Sequence, residues 1–186
     1  MATFQKDGLW VQGGQGALSA VSEQTPFVPG QLGRVMSVRS TDGKVPRFYQ
    51  YVQRYTTDSA TAAAGAPAYW VDLDAFQVSA ESTDAIGGTT NPVVAGVWLG
   101  ASPAAGYHGF IQVGGIAEVA VTDTVAAGDN VVPAANTFLQ FKAVATVTTQ
   151  GASSPQIPVV GIAIEAVETS TNSAVDIVLG VFRNGW

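Results

Sequence analysis

The chain has no cysteine and a single histidine. Without thiols there is no disulfide framework, no thiolate zinc site, no iron–sulfur cluster and no cysteine nucleophile. One imidazole does not make a two- or three-histidine metal site. Charge is scarce as well: charged residues are 12% of 186, about half the share of an average soluble protein. The 8 Lys and Arg face 14 Asp and Glu, for a formal net charge of −6. An acidic balance argues against general nucleic-acid binding, where neutralising phosphates supplies most of the affinity. No stretch approaches the roughly 18 uncharged apolar residues of a membrane span. The opening residues Met1–Asp7 hold no apolar run, so no secretory leader is predicted. No internal repeat, heptad or collagen triplet is present, which excludes a fibrous shaft. No group stands out as a cofactor ligand.

What the chain has instead is β-branched bulk. Val, Thr and Ile together number 50, against 7 Leu. These side chains fit a pleated sheet better than a helix. The composition predicts a mostly-β protein of one domain or little more, large enough to bury a core without staples.

Three stretches differ in texture. Residues 1–32 hold Gly8, Gly13, Gly14, Gly16, Pro26, Pro29 and Gly30 around isolated apolar anchors, Phe4, Leu9, Trp10 and Phe27. Such a segment builds no core of its own, and it reads as an extended N-terminal arm pinned by those side chains. Residues 33–85 read as an N-terminal β-module. Arg34–Arg39 alternates polar and apolar as a half-buried strand does. Asp42-Gly43 signals a hairpin turn, and Arg47–Tyr55 and Tyr69–Leu73 follow as strands. The turn-rich run 76–92 is predicted to bury little and to mark the internal boundary. Residues 86–186 read as a C-terminal β-barrel or sandwich with strands near Val93–Leu99, Tyr107–Val113, Ile116–Val121, Phe138–Thr146, Ile157–Val167 and Ala174–Phe182. Gly114-Gly115 is predicted as a two-residue hairpin turn. Ile162, Ile164 and Ala166 are predicted to share one face, Val175, Ile177 and Leu179 another, the two sets closing the barrel.

Chemistry-bearing residues are few. His108 lies inside a predicted strand, with no Gly-x-Ser-x-Gly elbow anywhere, so no catalytic triad is expected. Asp72 and Asp74 are placed like a carboxylate pair, but no calcium-loop spacing surrounds them, and a solvated strand edge is the simpler reading. Glu165 and Glu168 read as a polar strand end. Gly13–Gly16 lacks the strand and the Lys-Ser/Thr that a phosphate loop requires.

The charges are unevenly placed. Residues 31–56 carry Arg34, Arg39, Lys44, Arg47 and Arg54 against Asp42, whereas residues 91–186 carry two basic and six acidic residues. Three readings fit the basic segment: strand edges guarded by charge, a face docking on an acidic protein surface, or a clamp for single-stranded nucleic acid using Tyr49, Tyr51 and Tyr55. The acidic balance of the whole chain disfavours the third.

The second half has a recognisable cadence: Gly109-Phe110-Ile111-Gln112-Val113, then Ala127-Gly128-Asp129-Asn130-Val131, then Val160-Gly161-Ile162-Ala163-Ile164-Glu165-Ala166 and Ala174–Leu179. Over about residues 93–182 it resembles the capsid decoration, or cement, proteins of tailed bacteriophages. The resemblance implies a non-enzymatic virion protein on the outer capsid surface. It further implies a homotrimer that binds the major capsid protein and holds neighbouring capsomers together, with no nucleic acid, membrane or cofactor involved. Residues 1–92 depart from the shorter members of that family. There the arm, through Phe4, Trp10 and Phe27, and the basic face, through Arg34, Arg39, Lys44, Arg47 and Arg54, are the expected partner interface. The alternative function is a phage tail or fibre module binding a host glycan. For that role Tyr69, Trp70 and Trp98 would form an exposed stacking platform.

Overall fold

The computed structural model describes residues 32–38, 46–134, 140–144, 159–167 and 173–180. The expected arm, with Phe4, Trp10 and Phe27, lies outside the described residues, as do Arg39, Lys44 and Glu168. The fold is all-β. Ten strands follow in chain order: β1 (Val35–Val38), β2 (Arg47–Arg54), β3 (Pro67–Asp72), β4 (Gln77–Ser79), β5 (Val94–Trp98), β6 (His108–Val121), β7 (Asn130–Pro133), β8 (Phe141–Val144), β9 (Gly161–Ala163) and β10 (Ser173–Leu179). A single 3-10 turn, Ser82–Asp84, interrupts them among the described residues. No helix there is long and apolar enough to cross a membrane.

The pairings form two closed rings of five strands. In the first, β2, β4, β3, β5 and β6 pair in turn, and β6 returns to β2. In the second, β6, β10, β9, β7 and β8 pair in turn, and β8 returns to β6 at Val121 and Phe141. Strand β1 adds to the outside of β2 as an antiparallel partner; the turn expected at Asp42-Gly43 lies outside the described residues.

The strand common to both rings is β6. Its residues 108–114 pair with β2, and its residues 115–121 pair with β10. The change of ring therefore falls at Gly114–Gly115, whereas the sequence places its boundary between 85 and 86. The strands read as the C-terminal unit are shared between both rings, and β5 belongs to the first.

Gly114-Gly115 is not a turn, and β6 runs through it as one strand of 14 residues. The register with β2 slips here: Phe48 faces Gly114, but Tyr49 faces Gln112, leaving Val113 as the extra residue of a bulge. A bulge bends a strand and strengthens its twist, which lets one strand serve two barrels. Gly115 has φ +83°, and a Cβ there would meet the Pro46 carbonyl. The side chain of Gln112 completes the device. It is 3% exposed, and its amide donates to the carbonyls of Gly114 (3.2 Å) and Ile116 (2.7 Å). Bulges interrupt a ladder, and here a buried side chain supplies the missing donors.

The run 76–92 also differs from its reading. It contains β4, which sits between β2 and β3, parallel to the first and antiparallel to the second. Val78, Ser79 and Ala80 are fully buried, and Ser82 nearly so. Small side chains and backbone pairing, not bulk, place this segment inside.

Two apolar cores result. Val52, Ala62, Ala66, Ala68, Val78, Ala80, Ala95, Trp98, Ile111 and Val113 fill the first ring. The second core takes Ala117, Val119, Val121, Val131, Phe141, Val175 and Ile177 from the second ring. It also takes Tyr69, Val94 and Val97 from β3 and β5. Period-2 alternation sends neighbouring residues of one strand into different cores, Ala68 into one and Tyr69 into the other. The two rings are thus packed against each other through β3 and β5. Gly65 adds to the join, since the Ala120 N–H donates to its carbonyl at 3.0 Å.

Candidate docking surfaces

The basic segment separates into two kinds of residue. Arg34 and Arg47 are exposed at β1 and at the start of β2. Arg54, expected on the same docking face, is 4% exposed. Alternation along β2 turns it inward, where its Nε donates to Asp58 Oδ2 at 2.9 Å and its Nη2 to the Asp58 carbonyl at 3.2 Å. It also donates to the carbonyls of Pro103 and Ala60. Asp58 Oδ2 accepts the Ala80 N–H at 2.7 Å as well. Arg54 is therefore a buried clamp tying the 55–66 loop to the segment before β6, and it is unavailable to a partner.

Tyr49 and Tyr51 are buried too, at 5% and 1% exposure. Tyr51 stacks on His108 with ring centroids 5.7 Å apart and packs against Phe110 at 5.0 Å. Rings held this way are not a stacking platform for bases. The glycan platform fails for the same reason: Tyr69 is fully buried, Trp98 is 2% exposed, and Trp70 is half-buried against the first core. Burial pushes the Tyr69 hydroxyl pKa well above its ordinary value. His108 is moved down by burial, which disfavours the imidazolium.

The acidic residues are mostly engaged with backbone. Asp72 Oδ1 accepts the N–H groups of Asp74 and Ala75, both at 2.9 Å, an Asx-type turn and not half of a carboxylate pair. Glu165 Oε1 accepts the Asp176 N–H at 3.1 Å. One cluster escaped the sequence reading: carboxylate oxygens of Asp58, Glu81 and Asp84 lie within 4.8 Å of one another. Each carboxylate has donors of its own. Asp58 has Arg54, Ala60 and Ala80, Glu81 has Ser59 and Thr83, and Asp84 has Ser79. The hydrogen bond from Ser59 is the main cause holding the Glu81 carboxyl below its usual range. In chemical terms these residues fasten a loop.

The third surface is apolar. Ile162 and Ile164, expected to close the second barrel, are 50% and 46% exposed. The inward positions of β9 are Gly161 and Ala163 instead, because a Cβ at Gly161 would meet the Val178 carbonyl and Ile177 Cδ1. Ile177 of β10 already fills that space. Val175, Ile177 and Leu179 do face the core, as expected. The Gly128-Asp129 turn is present: Asp129 N–H donates to the Ala126 carbonyl at 3.1 Å, and the Ala126 N–H returns to Asp129 Oδ2 at 2.8 Å.

Comparison with protein-family models and with curated proteins found no match. Among solved structures, the fold is similar to the N base of the head fibre protein gp8.5 of bacteriophage phi29. The TM-score is 0.43 at 15% identity, over 72% of this chain and 93% of that one.

Proposed function

We propose that this chain is a non-enzymatic virion structural protein, a capsid decoration protein that binds the major capsid protein on the outer surface and steadies neighbouring capsomers. The observation that carries the reading is the contrast between interior and surface. Inside are two packed apolar cores and the buried Arg54–Asp58 pair. Outside are an exposed edge strand, β1, with the exposed cations Arg34 and Arg47, and an exposed aliphatic face at Ile162 and Ile164. Surfaces of this kind bind; they do not convert. The sequence cadence over 93–182 supports the same family, and its glycines act here as the turn at Gly128 and the close approach at Gly161.

The mechanism is mass action. A protein that binds the assembled lattice and not its separated parts shifts the balance toward the lattice. Its basic strip would meet an acidic capsid surface, with charge guiding orientation. The test is made on virions that carry the chain. Stripping it should lower the temperature at which the genome is released, and adding it back should restore that temperature. Virions that lack the chain, or that keep the same heat resistance after stripping, would refute a cementing role.

A further inference from the structure

Alternation divides the residues of β2 between two sides. Val52 lies in the first core and Phe48 packs against it, so Tyr49 and Tyr51 point away from that core. On β6, Ile111 and Val113 lie in the first core, so His108 and Phe110 point away from it as well. The register agrees: Tyr51 is the direct partner of Phe110, and it stacks on His108 with ring centroids 5.7 Å apart. This side is the outer wall of the first ring, where rings would be expected to meet water. Yet Tyr49, Tyr51 and Phe110 are at most 9% exposed. Neither apolar core of the described residues contains any of the three. The second ring covers the first through Tyr69, Val94 and Val97 of β3 and β5, not through these residues of β2 and β6. Rings set side by side shield one another's edges, and their outer faces need a further cover.

The chain delivers a segment to this place. Gly33 adjoins Tyr51 on the β1 side. Its N–H donates to the Tyr51 carbonyl at 2.7 Å, and its own carbonyl accepts from Gln50 Nε2 at 3.0 Å. Its φ is +78°, and a Cβ there would strike the Phe76 ring. Gly33 is thus held from three directions, and residues 1–31 join the fold at the rim of the aromatic wall. Two strand spacings, about 10 Å, separate β1 from β6. Phe27 stands six residues before Gly33, a reach of up to about 20 Å. Between them, Pro29-Gly30 has the composition of a type II turn, which suits a chain that doubles back. The run Pro26-Phe27-Val28-Pro29 is apolar and uncharged, as a cover for aromatic rings should be.

We propose that the segment 1–31 docks in cis on the outer wall of the first ring, with Phe27 seated against Tyr51 and Phe110. Aromatic pairs favour offset or tilted contacts, and the tilted Tyr51–Phe110 pair leaves such a seat. The occupant is the same chain, neither a second copy nor a capsid protein, so Phe27 is spent inside the molecule and does not anchor a partner. The inference is independent of the capsid reading and is measured on the isolated chain.

The test replaces Phe27 by benzoylphenylalanine in the full chain. Light and isotopically heavy preparations are mixed in urea, refolded together and irradiated. The expected cross-links join position 27 to the Tyr49–Tyr51 or His108–Phe110 stretch, and pair light with light and heavy with heavy. Light–heavy pairs would put a second copy on the wall and overturn the proposal, as would cross-links elsewhere or none. His108, the sole histidine, gives an independent readout. Burial holds its pKa below the ordinary value, so Phe27→Ala should uncover it and move its NMR titration upward. Hydrogen exchange at Val119 and Ile177 should stay as in wild type, showing that the second core is intact. A His108 titration unchanged in the folded variant would also overturn the proposal.

Discussion

Arg54 shows what a single buried charge contributes. Its guanidinium serves Asp58 and three carbonyls on two loops. Removing one partner of a buried pair leaves the other charge uncompensated, at a cost of about 3–5 kcal/mol. Arg54→Met is therefore expected to lose about 3–5 kcal/mol in urea unfolding, and a loss below about 1 kcal/mol would show that the clamp is not buried as described. His108 gives a pH dependence. Its folded-state pKa lies below the ordinary 6.5 because of burial. The unfolded chain then binds the proton first on acidification, so the stability His108 contributes is complete above about pH 6.5 and declines below it. The expected outcome is that wild-type Tm minus the Tm of His108→Gln falls between about pH 7 and pH 5; a difference flat with pH would count against the burial of this imidazole.

At the scale of the element, β6 is the part on which both rings depend. Gly115 takes a left-handed φ that costs a side-chain-bearing residue roughly 1–2 kcal/mol, and its Cβ would also strike the Pro46 carbonyl. Gly115→Ala should lower stability by at least about 2 kcal/mol in thermal or urea unfolding, more than Gly128→Ala, whose Cβ would meet nothing within 4 Å. Equal losses at the two positions would mean that backbone φ, not the close approach at the bulge, sets the cost. Gln112→Leu leaves the Ile116 carbonyl in the bulge without its donor, with an expected loss of about 1–3 kcal/mol. The Asn and Ser variants, too short to span the bulge, should lose similarly, whereas Gln112→Glu should fail to rescue because a carboxylate has no N–H to give. In β9 the lesson is one of parity. Its large residues face water and its small ones face the core, because the space opposite Gly161 is already taken by Ile177.

The whole molecule should unfold as one unit. Tyr69, Val94 and Val97 of the first ring's strands sit in the core of the second, and β6 is continuous through both. Neither ring closes without β6, so a stable half has no basis. Fluorescence of Trp98, which reports the first core, and hydrogen exchange at Val119 and Ile177, which report the second, should give coincident transitions in denaturant. Two separated transitions would show independent units. Much of this was legible in the chain. Eight of the strands lie within or across stretches that alternate or run apolar, and Gly128-Asp129 behaves as a turn. What was not legible is instructive. Gly114-Gly115 has the composition of a hairpin, and nothing local distinguishes a turn from a bulge whose donors come from Gln112. Segment 76–92 looked empty because Ser and Ala bury as readily as Val when backbone pairing holds them.

By itself the sequence determined the class of the protein. The excess of β-branched residues and the scarcity of Leu, Glu and Lys dictate strands, because those side chains fit a pleat and lose freedom in a helix. The missing thiols and the lone His108 exclude disulfides, thiolate chemistry and multi-histidine metal sites. The charge count separates a basic 31–56 segment from an acidic second half. Only the tertiary structure decided which charges face out. Arg54 lies on the same strand as Arg47, but alternation and the ring closure send it inside to Asp58. It also decided that Ile162 meets water while Tyr69 and Trp98 do not. Burial depends on which strands lie opposite, and that is set by pairings between residues far apart in the chain.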